Sequence, residues 1–197
     1  MRIVLFLLCV LFIFSCEKQV DYYLYPAFSG ENRLNAVIEI PAGTNRKIEY
    51  NSKTFSFEID KIDGEDRVIN YLPYLGNYGF VPSTFSDPKL GGDGDAIDII
   101  VLAESVATGT VIETIPIAIL KLLDDGEIDY KIVAIPSDIS KQIVSVENFS
   151  EFDVKFPEIK GIIETWFLNY NTKDDAIIEG WGDEKEAVRE IMKNLKQ

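Results

Sequence analysis

Histidine is absent from the 197 residues, and cysteine occurs only at Cys9 and Cys16. Without imidazole there is no serine–histidine or cysteine–histidine nucleophile pair and no zinc site with histidine ligands. Acid–base chemistry falls to carboxylates, lysine, tyrosine or metal-bound water. Both cysteines lie near the N-terminus, so the rest of the chain carries no disulfide framework. Positive charge is scarce as well: Lys+Arg 19 stand against Asp+Glu 33, a formal net charge of −14. Such a chain repels phosphate-coated polymers, and nucleic acid is not expected as a partner. A small anionic substrate remains compatible where divalent cations stand between it and the carboxylates.

What is present begins with a short apolar run. Arg2 precedes Ile3 to Phe14, and Ser15 and Cys16 follow. The run is too short to cross a bilayer comfortably and has the form of a secretory signal. Ile13-Phe14-Ser15-Cys16 resembles a bacterial lipobox, which implies cleavage before Cys16 and lipid on its sulfur and its new amino group. Two acyl chains at one residue hold stably. An uncleaved anchor, or cleavage elsewhere, is the plainer alternative. The expected organisation is a signal peptide over residues 1–15, a lipid-anchored tether over 16–30 and one folded domain over 31–197, exported and either periplasmic or attached to a membrane through Cys16. Apolar residues make up 47% of the chain, enough for a core.

Strand patterns come first along the domain. Ala36 to Pro41 reads as a strand ended by proline, and Phe55 to Ile59 alternates like a half-buried one. Val68 to Val81 is rich in tyrosine, with Gly76-Asn77 as a turn signal inside it. Ile97 to Leu102 and Tyr130 to Ile135 read as buried strands. Thr110 to Leu123 is a long β-branched run in which Pro116 marks an edge or a bend. Helical spacing follows, over Pro157 to Tyr170 and over Asp183 to Lys196, the latter with Asp183 as N-cap. This order predicts an α+β fold, a small antiparallel sheet or barrel covered by helices.

Two acidic clusters carry the chemistry. Asp93, Asp95 and Asp98 fall within six residues, interleaved with Gly94 and preceded by Gly91 and Gly92. The glycines permit a tight loop, and the next strand anchors it. Carboxylates this close repel one another unless hard divalent cations intervene, and oxygen ligands suit Mg²⁺ or Ca²⁺. Asp124, Asp125, Glu127 and Asp129 form the second cluster, in a turn between strands. Each cluster also reads as an ordinary solvated turn. The first is not an EF-hand, because Ile97 stands at the fifth ligand position.

Asp93-Gly-Asp-Ala-Ile-Asp98 followed by Ile99-Ile-Val-Leu resembles the signature of family I soluble inorganic pyrophosphatases. Ile38-Glu39-Ile40-Pro41, Lys47-Ile48-Glu49, Arg67 before Tyr74 and Asn77-Tyr78-Gly79-Phe80, Asp124-Asp125-Gly126…Asp129-Tyr130-Lys131, Trp166-Phe167…Tyr170 and Glu179-Gly180-Trp181 resemble the family's further motifs in order. The likeness runs from about Leu34 to the C-terminus. It implies an OB-like five-stranded antiparallel β-barrel with flanking C-terminal helices. It implies Mg²⁺-dependent hydrolysis of inorganic pyrophosphate, with several ions per site and Mn²⁺ as a substitute. By the same resemblance Asp93, Asp98, Asp124 and Asp129 bind metal, and Asp95 is the general base. Lys47, Arg67, Tyr78, Lys131 and Tyr170 grip the phosphates, while Glu39, Glu49, Tyr74 and Asp125 support them. Homo-oligomers are implied too, since bacterial relatives are often hexamers. This sequence departs from the family at Asn171, where lysine is common, with Lys173 two residues on, and at Ala96, where proline is common. A competing reading makes the chain a non-catalytic surface lipoprotein that binds divalent metal or phosphate on the same fold.

Overall fold

The computed structural model describes residues 20–30 and 33–196. The expected signal peptide and Cys16 lie outside the described residues. The described residues form twelve strands: β1 (Phe28–Gly30), β2 (Arg33–Ile40), β3 (Ile48–Asn51), β4 (Ser56–Ile59), β5 (Lys61–Ile62), β6 (Glu65–Asp66), β7 (Asn77–Phe80), β8 (Asp98–Val101), β9 (Val111–Asp124), β10 (Glu127–Ile128), β11 (Lys131–Pro136) and β12 (Ala176–Asp183). The helices are α1 (Phe149–Lys155), α2 (Pro157–Phe167) and α3 (Glu184–Lys193).

The long β-branched run forms β9, the spine of the sheet, which pairs antiparallel with β2, β10, β11 and β12. Pro116 has no N–H to give, and the register against β11 slips beside it, between Val133 and Ala134. β7 joins β2 to β8, and β1 extends the edge beyond β2. Two features depart from the expected five-stranded antiparallel barrel. The sheet has eight strands, because β1, β10 and β12 add at its margins. It is also mixed, because β8 and β11 run parallel. The chain leaves β8, runs the length of β9, turns back at Asp124–Glu127, and so enters β11 in the direction of β8.

Local chemistry explains the turns. Asp125 and Gly126 both have positive φ, 50° and 86°, the pair a two-residue hairpin requires. Asp183 caps α3 by accepting the Glu186 N–H, as its sequence position predicts. Helix α2 starts at Pro157 and ends at Phe167, three residues short of Tyr170. α1, capped by Asn148, is too short for a periodic apolar pattern to announce it. The Gly76-Asn77 turn signal is overturned: Asn77 opens β7 and is fully buried.

The sheet buries both faces. On one, Ile117, Leu120, Leu122 and Val133 pack with Ile163, Trp166 and Phe167 of α2. On the other, Ile99, Ile119 and Ile132 pack with Ala187 and Ile191 of α3. Each fully buried isoleucine or leucine contributes about 1.5–3 kcal/mol. This framework fixes the strand ends from which the acidic residues project.

Candidate active site

Every candidate metal-binding, catalytic, phosphate-gripping or supporting residue read from the sequence lines one cavity of about 990 Å³. Strand pairing accounts for its centre. Asp98 and Lys131 open β8 and β11 and are direct partners in the parallel pair. Lys131 is 3% exposed; its Nζ lies 2.5 Å from Asp98 Oδ2 and also pairs with Asp129 Oδ1. The Tyr78 hydroxyl donates to the same Asp98 Oδ2, and the Lys131 ammonium lies 5.9 Å and 5.6 Å from the Tyr78 and Phe167 ring centres. Burial works against the lysine's charge, but Asp129 and Asp98 outweigh it and hold its pKa above the ordinary lysine value. The Tyr78 hydroxyl is pushed up by burial and by Asp98, so it stays protonated and able to donate a hydrogen bond throughout the useful pH range.

The Asn-Tyr-Gly segment of β7 divides its tasks. The Asn77 side chain donates to Glu104 O at 2.9 Å and accepts from Ala42 N and Val106 N at 3.2 and 2.9 Å, tying two loops together. Tyr78 faces the site. A Cβ on Gly79 would stand 1.9 Å from the Val37 carbonyl oxygen, so only glycine lets β7 lie this close to β2.

The acidic loop is held from both sides. Asp93 Oδ1 accepts the Asp95 N–H at 3.0 Å, and Gly94 turns the chain with φ of 89°. Ser86 N donates to Asp95 O at 2.7 Å, Gly94 N donates to Ser86 O at 2.9 Å, and Ile97 N donates to Thr84 Oγ1 at 2.9 Å. Burial, then the neighbouring Asp129 and Asp98 charges, push the Asp93 carboxyl up to about 7 against a bond from the Asp95 N–H. Burial also raises Asp95, Asp98 and Asp124 from the ordinary aspartate value.

The second cluster sits on the β9–β10 hairpin. Asp129 N is anchored on Leu122 O at 3.0 Å, and Asp125 Oδ1 accepts Asp175 N at 2.9 Å, fastening the loop after α2. The Asp124 carboxylate is left with a buried oxygen, Oδ1, that has no hydrogen-bond partner. In that loop the Asn171 amide donates to Asp174, while Asn171 and Lys173 both line the cavity. Tyr170 stacks on Trp166 at 4.6 Å and 5°, Trp166 packs on Tyr74, and Tyr74 on Tyr78, an aromatic wall that backs the cationic side.

Two of the phosphate-gripping candidates, Lys47 and Arg67, come from the segment between β2 and β7. Backbone bonds Lys47 N to Arg67 O, Asp60 N to Lys47 O and Arg67 N to Asp60 O bring the two cations together. Lys47 Nζ lies 2.8 Å from Glu49 Oε1, and Arg67 Nη1 lies 3.3 Å from Asp60 Oδ2. Asp60, not the adjacent Glu65 or Asp66, is the partner of Arg67, a contact that the small β5–β6 hairpin makes and proximity in sequence does not announce. Glu39, 8% exposed, accepts the Tyr50 N–H at 2.7 Å, and burial pushes it up to about 8. Sequence reasoning missed Asn77, Asp60 and Tyr23, which also lines the cavity. An Asn before Tyr-Gly was the available signal for the first; nothing local marked the others.

Among the described residues no three acidic side chains meet as a ready-made metal cluster, and Lys131 pairs with both Asp98 and Asp129. The donors still fit a hard divalent cation: all are carboxylate oxygens, burial raises the pKa values of Asp93, Asp98 and Asp124, and Asp124 Oδ1 lacks a partner.

Comparison with known proteins agrees with this arrangement. A family model described as inorganic pyrophosphatase matches residues 36–197. The inorganic pyrophosphatase of Neisseria meningitidis serogroup B is 35% identical over 168 residues, covering 83% of this chain and 88% of that protein. That of Saccharolobus solfataricus is 33% identical over 180 residues, covering 88% and 96%. The crystal structure of an inorganic pyrophosphatase from Neisseria gonorrhoeae superposes with a TM-score of 0.72 at 30% identity, over 89% of this chain and 97% of that one. A model that spans most of the chain, relatives above 30% identity and a shared fold lead to one conclusion: the chain belongs to the inorganic pyrophosphatase family.

Proposed function

We propose that this protein hydrolyses inorganic pyrophosphate to two phosphates with Mg²⁺. The observation that carries the reading is one cavity in which Asp93, Asp98, Asp124 and Asp129 face Lys47, Arg67 and Lys131. Those four aspartates would hold the magnesium ions, which when bound lower the pKa of water and neutralise phosphate charge. Asp95 accepts the proton of the attacking water; its carboxyl, raised by burial, is a better base than a solvated aspartate and remains able to ionise. Arg67 suits a forked contact with phosphate oxygens, and Lys47 and Lys131 act as point charges. Tyr170 donates a hydroxyl hydrogen bond to the same oxygens; Tyr78, whose hydroxyl bonds Asp98 in this structure, would turn toward them, and Glu39, Glu49, Tyr74 and Asp125 hold these groups in place. The pairing circuit from β2 through β7, β8, β11 and β9 back to β2 supports an OB-like barrel as the scaffold.

The test is phosphate release from pyrophosphate by the purified protein, with Mg²⁺ and with chelator. Release that needs Mg²⁺ supports the proposal; no release above buffer sinks it. The lipobox-like Ile13-Phe14-Ser15-Cys16 supports export and lipid attachment at Cys16. Incorporation of labelled palmitate into the wild type and not into Cys16→Ala checks this separately.

A further inference from the structure

Residues 20–26 precede the matched family region 36–197, yet Tyr23 among them lines the site. Asp21 caps a short helical turn, Tyr22–Leu24, that lies on the domain. Its main chain is bound at Ser83: Ser83 N donates to Tyr23 O at 3.0 Å and Ser83 Oγ to Tyr25 O at 2.8 Å. Ser83 sits at φ of 55°, a conformation that a non-glycine residue keeps only when its surroundings hold it there. The residues that follow, Thr84 and Ser86, make the bonds that fasten Gly94, Asp95 and Ile97. The C-terminus grips the same stretch, through Lys196 N to Ser83 O and Phe85 N to Asn194 O, both 2.8 Å.

Side chains repeat the connection. The Tyr23 ring lies 4.8 Å from Phe80 and 5.2 Å from Tyr50, with the Lys196 ammonium 5.2 Å from its centre. It packs against the buried cluster that contains Ala96 of the acidic loop.

We propose that the N-terminal segment is a clasp that positions the Asp93–Asp98 loop, with Tyr23 as its positioning residue; this rests on the proposed role of that loop in binding metal and activating water. The Tyr23 hydroxyl contributes little, since its bond to Tyr50 O is 3.5 Å long, and the ring carries the effect.

The experiment compares the full-length chain with Tyr23→Ala, Tyr23→Phe and Leu24→Ala, the last removing a neighbouring side chain that is 74% exposed. Amide deuterium exchange is read in the metal-free protein, and the Mg²⁺ requirement and KM for pyrophosphate in the active one. Tyr23→Ala speeds exchange over residues 93–98 by about tenfold, a local opening that leaves α2 unchanged. It raises the Mg²⁺ concentration for half-activity several-fold with little change in KM. Tyr23→Phe restores both, and Leu24→Ala matches the wild type. Unchanged exchange over 93–98, an equal rise across the molecule, or a Tyr23→Phe as impaired as Tyr23→Ala overturns the proposal. If Tyr23→Ala does not fold, Ser83→Gly replaces it; glycine suits φ of 55° and removes the hydroxyl bonds to Tyr25 O, at 2.8 Å, and to Tyr23 O, at 3.5 Å. Exchange over 93–98 must rise there too, and no rise overturns the clasp. Because exchange is read without metal or substrate, absence of pyrophosphatase activity would defeat the proposed function and leave this measurement standing.

Discussion

Lys131 is the cation that the buried aspartates share. Two carboxylates, Asp98 and Asp129, lean on its ammonium, and the rings of Tyr78 and Phe167 lie beside it. Removing one partner of a buried ion pair typically costs about 3–5 kcal/mol, because the other charge stays behind unpaired. Lys131→Met is therefore expected to lower the urea midpoint strongly in chelator and to recover much of the loss in Mg²⁺. Equal stability of variant and wild type in chelator would contradict the shared-cation arrangement. Asp95 makes no contact of this kind; its N–H and carbonyl are tied down and its carboxyl faces the cavity. Asp95→Asn is expected to cost about 10²–10⁴-fold in kcat, the usual range for a general base, while Mg²⁺ binding measured by calorimetry persists. Retained turnover would remove Asp95 from that role. The acidic motifs were plain in the sequence. The bond between Asp98 and Lys131 was not, because it spans 33 residues and exists only through a parallel strand pair.

Strand β7 shows how a local signal misleads at the scale of an element. Gly76-Asn77 has the chemistry of a turn, but Asn77 spends its side chain on the backbone of Ala42, Glu104 and Val106 and enters the sheet. Tertiary hydrogen bonds override the local preference. Gly79 is then the tightest point between β2 and β7. Gly79→Ala is expected to lose folded protein or at least about 3 kcal/mol, since the Cβ collides with a backbone oxygen that cannot rotate away. Gly126→Ala, at φ of 86° with open space around it, is expected to cost only about 1 kcal/mol. Chemical denaturation of both variants checks the contrast, and similar losses would refute it. The long runs that became β9 and β11 were legible because apolar β-branched stretches bury both faces. α1 and the edge strands were not, since they are short and owe their state to neighbours.

For the whole molecule, the concentration of buried carboxylates has a consequence for stability. Glu39 is raised to about 8 by burial, above its unfolded value near 4.3, so the folded state binds the extra proton. Its contribution is fully present below about pH 4 and is lost as pH rises through about 8. In chelator, the wild type is expected to be less stable at pH 8.5 than at pH 5, by roughly a few kcal/mol from this group. Glu39→Gln keeps an acceptor for the Tyr50 N–H and should flatten the decline. Thermal unfolding across pH decides it, and an unchanged slope in the variant would show that other groups carry the dependence.

By itself the sequence determined the kind of chemistry open to this protein. With no histidine and no cysteine beyond Cys16, the working groups had to be carboxylates, lysines, an arginine and tyrosines. Their ordered motifs then pointed to one family, because residue types and spacing are properties of the chain alone. Only the tertiary structure decided which of those groups meet. It set Lys131 between two aspartates, paired Arg67 with Asp60, left Asp124 Oδ1 unpartnered and laid Tyr23 against the site. These are contacts between segments far apart in sequence, and they depend on strand direction, register and packing, which no local pattern encodes.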